Sequence, residues 1–254
     1  MAAATKISKN SEMQQPVLEA TGLVKQYRRV RAVDGVSLSV APGERVALLG
    51  PNGAGKTTTL LMLLGVLTPD AGTVTILGHP LPKQRQLAME QVGFVAGYLP
   101  LAERLKVREF LGLYARLYSA ADLTETIETS LARFGITHLA DALGGELSSG
   151  QKTLVGIVKA TLHTPKLLVL DEPTASLDPD VAHRVRTGLL DYAQSSGASM
   201  LVTSHNMDEV QRLAHRVIFV RAGRVVANDT PAAVAAHFGR EDLEEVFIHL
   251  ASEQ

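Results

Sequence analysis

The chain has no cysteine among its 254 residues. That excludes disulfides and thiolate metal sites, and it fits a reducing compartment. An excess charge of either sign is also missing: 25 Lys and Arg stand against 26 Asp and Glu, a formal net charge of −1. Without a basic excess, nothing in the balance points to nucleic acid as a partner. No apolar run approaches the length that spans a bilayer, and the stretch Leu60–Leu67 is far too short. Residues Met1–Gln15 lack the apolar core of a secretory signal and read as a polar tail. No internal repeat is visible. What the chain does have is 46% apolar residues, ample for the core of one large domain or of a core with subdomains. If it works at a membrane, it does so through another polypeptide.

The most informative stretch is Gly50-Pro51-Asn52-Gly53-Ala54-Gly55-Lys56-Thr57-Thr58. It follows Arg45-Val46-Ala47-Leu48-Leu49, an apolar run suited to a buried strand, and precedes the helix-forming run Thr59–Leu64, which ends at Gly65. Strand, glycine loop, Lys-Thr and helix are the context in which the phosphate-loop pattern is meaningful. Backbone N–H groups that wrap a polyphosphate need positive φ and no Cβ in the way, hence the glycines. The helix N-terminus adds the positive end of its dipole. Lys56 supplies a point charge for the β- and γ-phosphates, and the Thr57 hydroxyl is placed to ligate Mg²⁺. The stretch predicts a nucleoside-triphosphate site.

Elsewhere the chain reads as α/β. Alternating apolar and polar residues in Val17–Ala20 and Val36–Val40 predict half-buried antiparallel strands, with Tyr27 between them. Arg28, Arg29 and Arg31 read as a solvated face. Pro69–Gly72 is a turn into a strand Thr73–Leu77; Lys83–Gln91 reads as helix and Val92–Val95 as strand. Between Pro100 and Leu143 the spacing of Leu105, Phe110, Leu113, Leu117, Ile127 and Leu131 predicts amphipathic helices with no strand among them. Leu167–Leu170 and Met200–Thr203 read as buried parallel strands joined by a helix Asp180–Ser195. Val217–Val220 and Arg224–Ala227 form a hairpin, and Leu243, Val246, Phe247 and Leu250 mark an amphipathic terminal helix. Polar groups that end parallel strands gather at the carboxyl edge of the sheet. There Asp171 suits Mg²⁺ and Glu172 suits a general base that polarises water. His205 marks the end of the Met200–Thr203 strand, and the other seven histidines show no metal-ligand spacing.

These residues, with Leu147-Ser148-Ser149-Gly150-Gln151 upstream of the Asp171-Glu172 strand, resemble the ATP-binding subunit of an ABC transporter. The resemblance runs from about Val17 to the terminal helix. Residues 147–151 resemble the family signature LSGGQ, Ser176-Leu177-Asp178 resembles the D-loop, His205 falls on the switch histidine, and Tyr27 falls on the aromatic that stacks on adenine. The resemblance implies a P-loop NTPase (RecA-like) core over residues 16–240, with an N-terminal antiparallel β subdomain and an α-helical insertion at about 98–163, followed by a terminal helix at 241–254. It further implies ATP and Mg²⁺ as ligands, with Glu172, His205 and Lys56 as catalytic residues. Two nucleotide domains would pair head to tail, so that Ser148–Gln151 and Asp178 act on ATP held by the other subunit. The partners would be a second copy or a paralogous subunit and a separate transmembrane permease, and the subunit would sit peripherally on the cytoplasmic face of the inner or plasma membrane. The tail Leu243–Leu250 resembles exporters of the drug, lipid or polysaccharide type. Import, a soluble ATPase acting on macromolecules or in cluster assembly, and a non-hydrolysing regulator are the competing readings.

Two positions depart from the family pattern. Ser149 replaces the first signature glycine; if the place demands positive φ, serine costs on the order of 1 kcal/mol. Gly97 stands where the family carries its Q-loop glutamine, and glycine offers no side chain to touch Mg²⁺ or water while loosening the hinge. Gly97→Gln is expected to change the ATPase rate or its coupling to the membrane partner; unchanged turnover and transport would contradict a role for this position.

Overall fold

A computed structural model describes residues 15–96, 101–118, 123–175 and 177–252; Gly97 and Ser176 lie outside them. The chain opens with a hairpin, β1 (Leu18–Tyr27) and β2 (Val30–Val40), whose alternating buried and exposed residues match the predicted period. β3 (Arg45–Leu49) runs into the glycine loop, and α1 (Lys56–Leu63) begins at the lysine itself. β4 (Ala71–Ile76) and the short β5 (His79–Leu81) complete a four-stranded antiparallel sheet in the order β2-β1-β4-β5. α2 (Arg85–Met89) is shorter than the helix predicted over Lys83–Gln91, and β6 (Val92–Ala96) follows it.

The middle of the chain is helical, as its periodicity predicts: α3 (Val107–Leu117), α4 (Leu123–Arg133), two short 3₁₀ turns, and α5 (Ser149–Thr161). Then come β7 (Leu167–Asp171), α6 (Pro179–Ser196) and β8 (Ser199–Thr203). α7 (Met207–Leu213), β9 (Arg216–Arg221), β10 (Arg224–Asp229), α8 (Pro231–His237) and α9 (Leu243–Ser252) close the chain. β5, α7 and α8 were not anticipated from the sequence. α7 and α8 begin with capping signals, Asn206 accepting from Glu209 N–H and Thr230 accepting from Ala233 N–H ahead of Pro231.

The second sheet has the order β10-β9-β3-β8-β7-β6, with β3, β6, β7, β8 and β9 parallel and β10 antiparallel at the edge. Its inner strands are apolar on both faces because both faces are covered. In β7, Leu167 and Val169 join the core shared with α1 and the antiparallel sheet, while Leu168 and Leu170 face the core built with α3–α6. Likewise Val46 and Leu48 of β3 face the antiparallel sheet, and Ala47 and Leu49 pack with α7, α8 and α9. None of the helices among the described residues is long and apolar enough to cross a membrane.

At the amino edge of this sheet, Arg216 pins four strands or their approaches. It donates to both carboxylate oxygens of Glu44 at 2.6 and 3.0 Å, to the Ser39 carbonyl at 2.7 Å and to Asn228 at 2.5 Å. Burial opposes ionisation of Glu44, but the bonds from Arg216 and from Ala41 N–H and the nearby positive charge outweigh it and hold the carboxyl below its usual range. A depressed folded-state pKa means that the contribution is fully present above the ordinary glutamate value and is lost as pH falls through the depressed one. Glu44→Gln is expected to cost about 1 kcal/mol at neutral pH, after allowing for solvent screening. The gap to wild type in denaturant unfolding should close in acid; a gap that stays constant with pH would contradict this role.

Candidate active site

The register β3–β8–β7 sets three polar strand ends side by side. Leu48 of β3 pairs with Thr203 of β8, and Thr203 pairs with Asp171 of β7. The glycine loop follows the first strand, Ser204 and His205 the second, and Glu172 the third. The edge foreseen from the sequence is therefore assembled by neighbouring strands.

The loop is held by backbone from two directions. A Cβ at Gly50 would lie 2.1 Å from the Val220 carbonyl oxygen, and one at Gly55 would lie 2.3 Å from that of Ala32. Both residues also have positive φ, 150° and 100°. The demand for glycine here thus comes from close backbone approach as well as from conformation. The β9–β10 turn props the loop: Gly223 N–H donates to the Ala54 carbonyl at 3.0 Å, and Asp34 N–H donates to the Gly223 carbonyl at 2.8 Å. Asp34 is in turn paired with Arg31 at 2.8 Å and Arg224 at 2.5 Å, so Arg31 is a buttress as well as a surface charge.

The first i→i−4 bond of α1 runs from Thr59 N–H to the Gly55 carbonyl, at 2.9 Å. The N–H groups of Lys56, Thr57 and Thr58 precede it and are the orphan donors of a helix start. Asn52 and Gly53 stand exposed at the loop's tip while Pro51 and Ala54 are buried. Lys56 donates to the Gly50 and Pro51 carbonyls at 2.5 and 3.0 Å, which places its ammonium across the loop. Burial lowers its pKa, opposed by the charges of Glu172 and Asp171. Lysine and both carboxylates therefore share one electrostatic site.

Thr203, wholly buried, connects the acids. Its hydroxyl donates to Asp171 Oδ1 at 2.6 Å and accepts from Glu172 N–H at 3.1 Å. Glu172 N–H also reaches the Thr203 carbonyl at 3.1 Å. These bonds hold Glu172 at φ 51°, an uncommon conformation for a residue with a side chain. Glu172 Oε2 lies 2.7 Å from His205 Nδ1, so the two residues assigned catalytic roles from the sequence touch directly. Thr203 could have been suspected as the hydroxyl that ends an otherwise apolar strand; the Glu172–His205 contact has no local signal.

Among the described residues no cluster of three His, Asp or Glu side chains is set to hold a metal. The exposed Thr57 hydroxyl and the Asp171 carboxylate are a sparse set of hard oxygen donors. That set fits Mg²⁺, which takes much of its shell from phosphate and water.

The signature segment lies apart from the loop. Three strand spacings separate β3 from β6, roughly 14 Å, and α5 packs on β6. Ser148 caps α5: its hydroxyl accepts from Gln151 N–H at 3.3 Å, and Gln151 Oε1 accepts from Ser148 N–H at 2.9 Å. Among the described residues the Ser148 hydroxyl donates no hydrogen bond of its own. Ser149 is the first residue of α5 and is not among the residues with positive φ, so the left-handed penalty expected for serine there does not arise. A Cβ at Gly150 would rest 3.4 Å from Leu177 and 3.5 Å from Val181. The signature thus adjoins Asp178, the N-cap of α6, whose side chain makes no cap bond.

Tyr27 ends β1 and pairs with Val30. Both are exposed, at 45% and 66%. Val30 stands two residues from Ala32, the residue pressed against Gly55, and Tyr27 lies across the hairpin from Val30.

A P-loop core whose acids, lysine and histidine meet at one sheet edge defines a nucleoside-triphosphatase. The profile described as ABC transporter matches residues 33–175. The Nod factor export ATP-binding protein I of Paraburkholderia xenovorans (strain LB400) is 38% identical over 237 residues, covering 92% of this chain and 78% of that protein. Its namesake from Rhizobium sp. (strain N33) is 36% identical over 235 residues, covering 91% and 77%. A solved ATP-binding subunit of an ABC transporter superposes with TM-score 0.84 at 29% identity, covering 92% of this chain and 99% of that one. The cbiO1 protein of Clostridium perfringens, described as part of the ABC transporter complex cbiONQ, gives TM-score 0.77 at 27% identity, covering 89% and 92%. The chain belongs to the ABC transporter family, as an ATP-binding subunit that hydrolyses ATP to drive transport.

Tyr27→Ala is expected to weaken ATP binding by roughly 1–3 kcal/mol, the scale of base–aromatic stacking. Titration with a fluorescent ATP analogue measures this, and an unchanged affinity would make Tyr27 a surface tyrosine only.

Proposed function

We propose that this subunit powers export through a separate transmembrane permease, working as a head-to-tail dimer with a second copy or a paralogue. The observation that carries the reading is the Glu172–His205 contact of 2.7 Å beside the lysine-bearing loop, with the signature held elsewhere on the molecule. Gly50–Thr58 wrap the phosphates through N–H groups, Lys56 neutralises the β- and γ-oxygens, and Tyr27 stacks on adenine. Thr57 and Asp171 would hold Mg²⁺, which would supply positive charge against the β- and γ-phosphates. Glu172 takes the proton of the attacking water, and His205, at hydrogen-bond distance, orients that carboxylate. Ser148, Ser149, Gly150, Gln151 and Asp178 act on the ATP of the opposite subunit. The orphan N–H groups at the start of α5, the free hydroxyl proton of Ser148 and the uncapped carboxylate of Asp178 support this.

Export is favoured by the relatives named for Nod factor export. The inserted helices, about 98–163, are the proposed contact with the permease. A cleft of about 420 Å³ opens between α3 and α4, lined by Leu105, Leu113 and Ile127 together with Arg108, Arg116 and Glu128. Leu113 and Leu117 remain exposed beside it, as a docking face requires. The subunit would then sit peripherally on the cytoplasmic face of the membrane.

Glu172→Gln tests the catalytic assignment. It should keep ATP affinity while lowering turnover by about two orders of magnitude or more. Near-normal turnover would remove Glu172 from the role of base.

A further inference from the structure

We propose that Glu209 is a positioning residue for ATP hydrolysis, clamping the segments that follow β7 and β8 so that Glu172 and His205 stay in register. The inference rests on the catalytic reading of Glu172 and His205 given above. Glu209 lies in the first turn of α7 and is only 2% exposed. Its Oε2 accepts two hydrogen bonds, from Thr174 Oγ1 at 2.6 Å and from Ser204 Oγ at 2.8 Å. Thr174 is two residues past Glu172, and Ser204 immediately precedes His205.

The same two segments are therefore bridged twice. The outer bridge is the exposed Glu172–His205 contact; the inner one is the buried Thr174–Glu209–Ser204 link. The inner bridge is braced on its own side, since Ser204 Oγ accepts from Asn206 N–H at 3.1 Å and Asn206 Oδ1 accepts from Glu209 N–H at 3.1 Å. His205 is thus suspended between two residues that Glu209 organises. On the other side, Leu177 N–H donates to the Thr174 carbonyl at 3.2 Å, so the clamp also reaches the turn that leads to Asp178.

A carboxylate in the first turn of a helix has a simpler reason, complementing the dipole. Asp208, exposed in the same turn, already does that. Burying a second acid is costly, and among the described residues Glu209 Oε1 has no hydrogen-bond partner. A residue that served stability alone would be apolar here. What the carboxylate adds is a single oxygen that two hydroxyls from different segments must share.

That geometry gives a discriminating pair of variants. Glu209→Gln can place its carbonyl oxygen at the Oε2 position and keep both hydroxyl bonds, whereas Glu209→Leu has similar bulk and no acceptor. Steady-state ATPase of the full chain should show Glu209→Leu reduced at least tenfold in kcat, with KM for ATP within about twofold of wild type. Glu209→Gln should stay within about threefold in kcat. Equal kcat in the two variants, or a loss confined to KM, overturns the proposal. Should Glu209→Leu fail to fold, Thr174→Val and Ser204→Ala carry the test. Each should lower kcat severalfold, and their double variant should fall short of the product of the two losses, because both hydroxyls serve one clamp; fully multiplicative losses or none overturn it. Glu172→Gln in the same assay separates the layers. If it abolishes turnover while Glu209→Leu leaves kcat intact, the clamp alone is wrong. If Glu172→Gln turns over normally, the base assignment fails, and the clamp with it.

Discussion

The structure depends on the parallel pairing of β3, β8 and β7. Each strand ends in chemistry: the phosphate loop, the segment of His205, and the pair Asp171–Glu172. A one-residue slip would reverse which face each side chain meets and would part Thr203 from Asp171. The hydrophobic pattern prevents it, because Leu201 belongs to one core and Met200 and Val202 to the other. Packing of aliphatic residues thus fixes the spacing of groups that never touch the core themselves. Thr203 converts that spacing into an active-site geometry by bonding both acids from one hydroxyl.

The parts built from the rigid sheet and the parts that must move are placed differently. Loop, acids and histidine sit on strand ends and are cross-linked by short hydrogen bonds. The signature sits at the head of α5, held by a reciprocal cap that leaves a hydroxyl proton and the first-turn N–H groups facing outward. In the proposed head-to-tail dimer, a site divided in this way would couple ATP binding to association, since neither half would be complete alone. Hydrolysis would then remove the ligand joining them, a change the helices around α5 would transmit.

Much of this was legible in the sequence because it is local. The glycine loop, the strand before it and the helix after it lie within one short stretch, and the apolar runs of β7 and β8 end at the residues that matter. The fold class followed from period: two residues in the first hairpin, between three and four in the inserted helices. The family resemblance was carried by motifs whose order along the chain is itself information. What escaped is what only packing creates. Thr174, Ser204 and Glu209 meet from three separate segments, and nothing local distinguishes Glu209 from a surface acid in a short helix. α7 and α8 span seven residues each, too short for a clear period, although Asn206 and Thr230-Pro231 were available as start signals. Ser149 opens α5 with a right-handed backbone, a conformation that the signature motif alone does not reveal.

The central claim is that each ATP is completed by Ser148 of the other subunit, and complementation between two inactive variants tests it directly. Lys56→Ala disables the loop and Ser148→Arg disables the signature. In a mixed dimer the two defects fall on one site and leave the other with an intact loop and an intact signature. Mixing the two purified variants should therefore restore ATP turnover that neither shows alone. A mixture that stays inactive, although the two chains are shown to associate, would contradict a site shared between subunits.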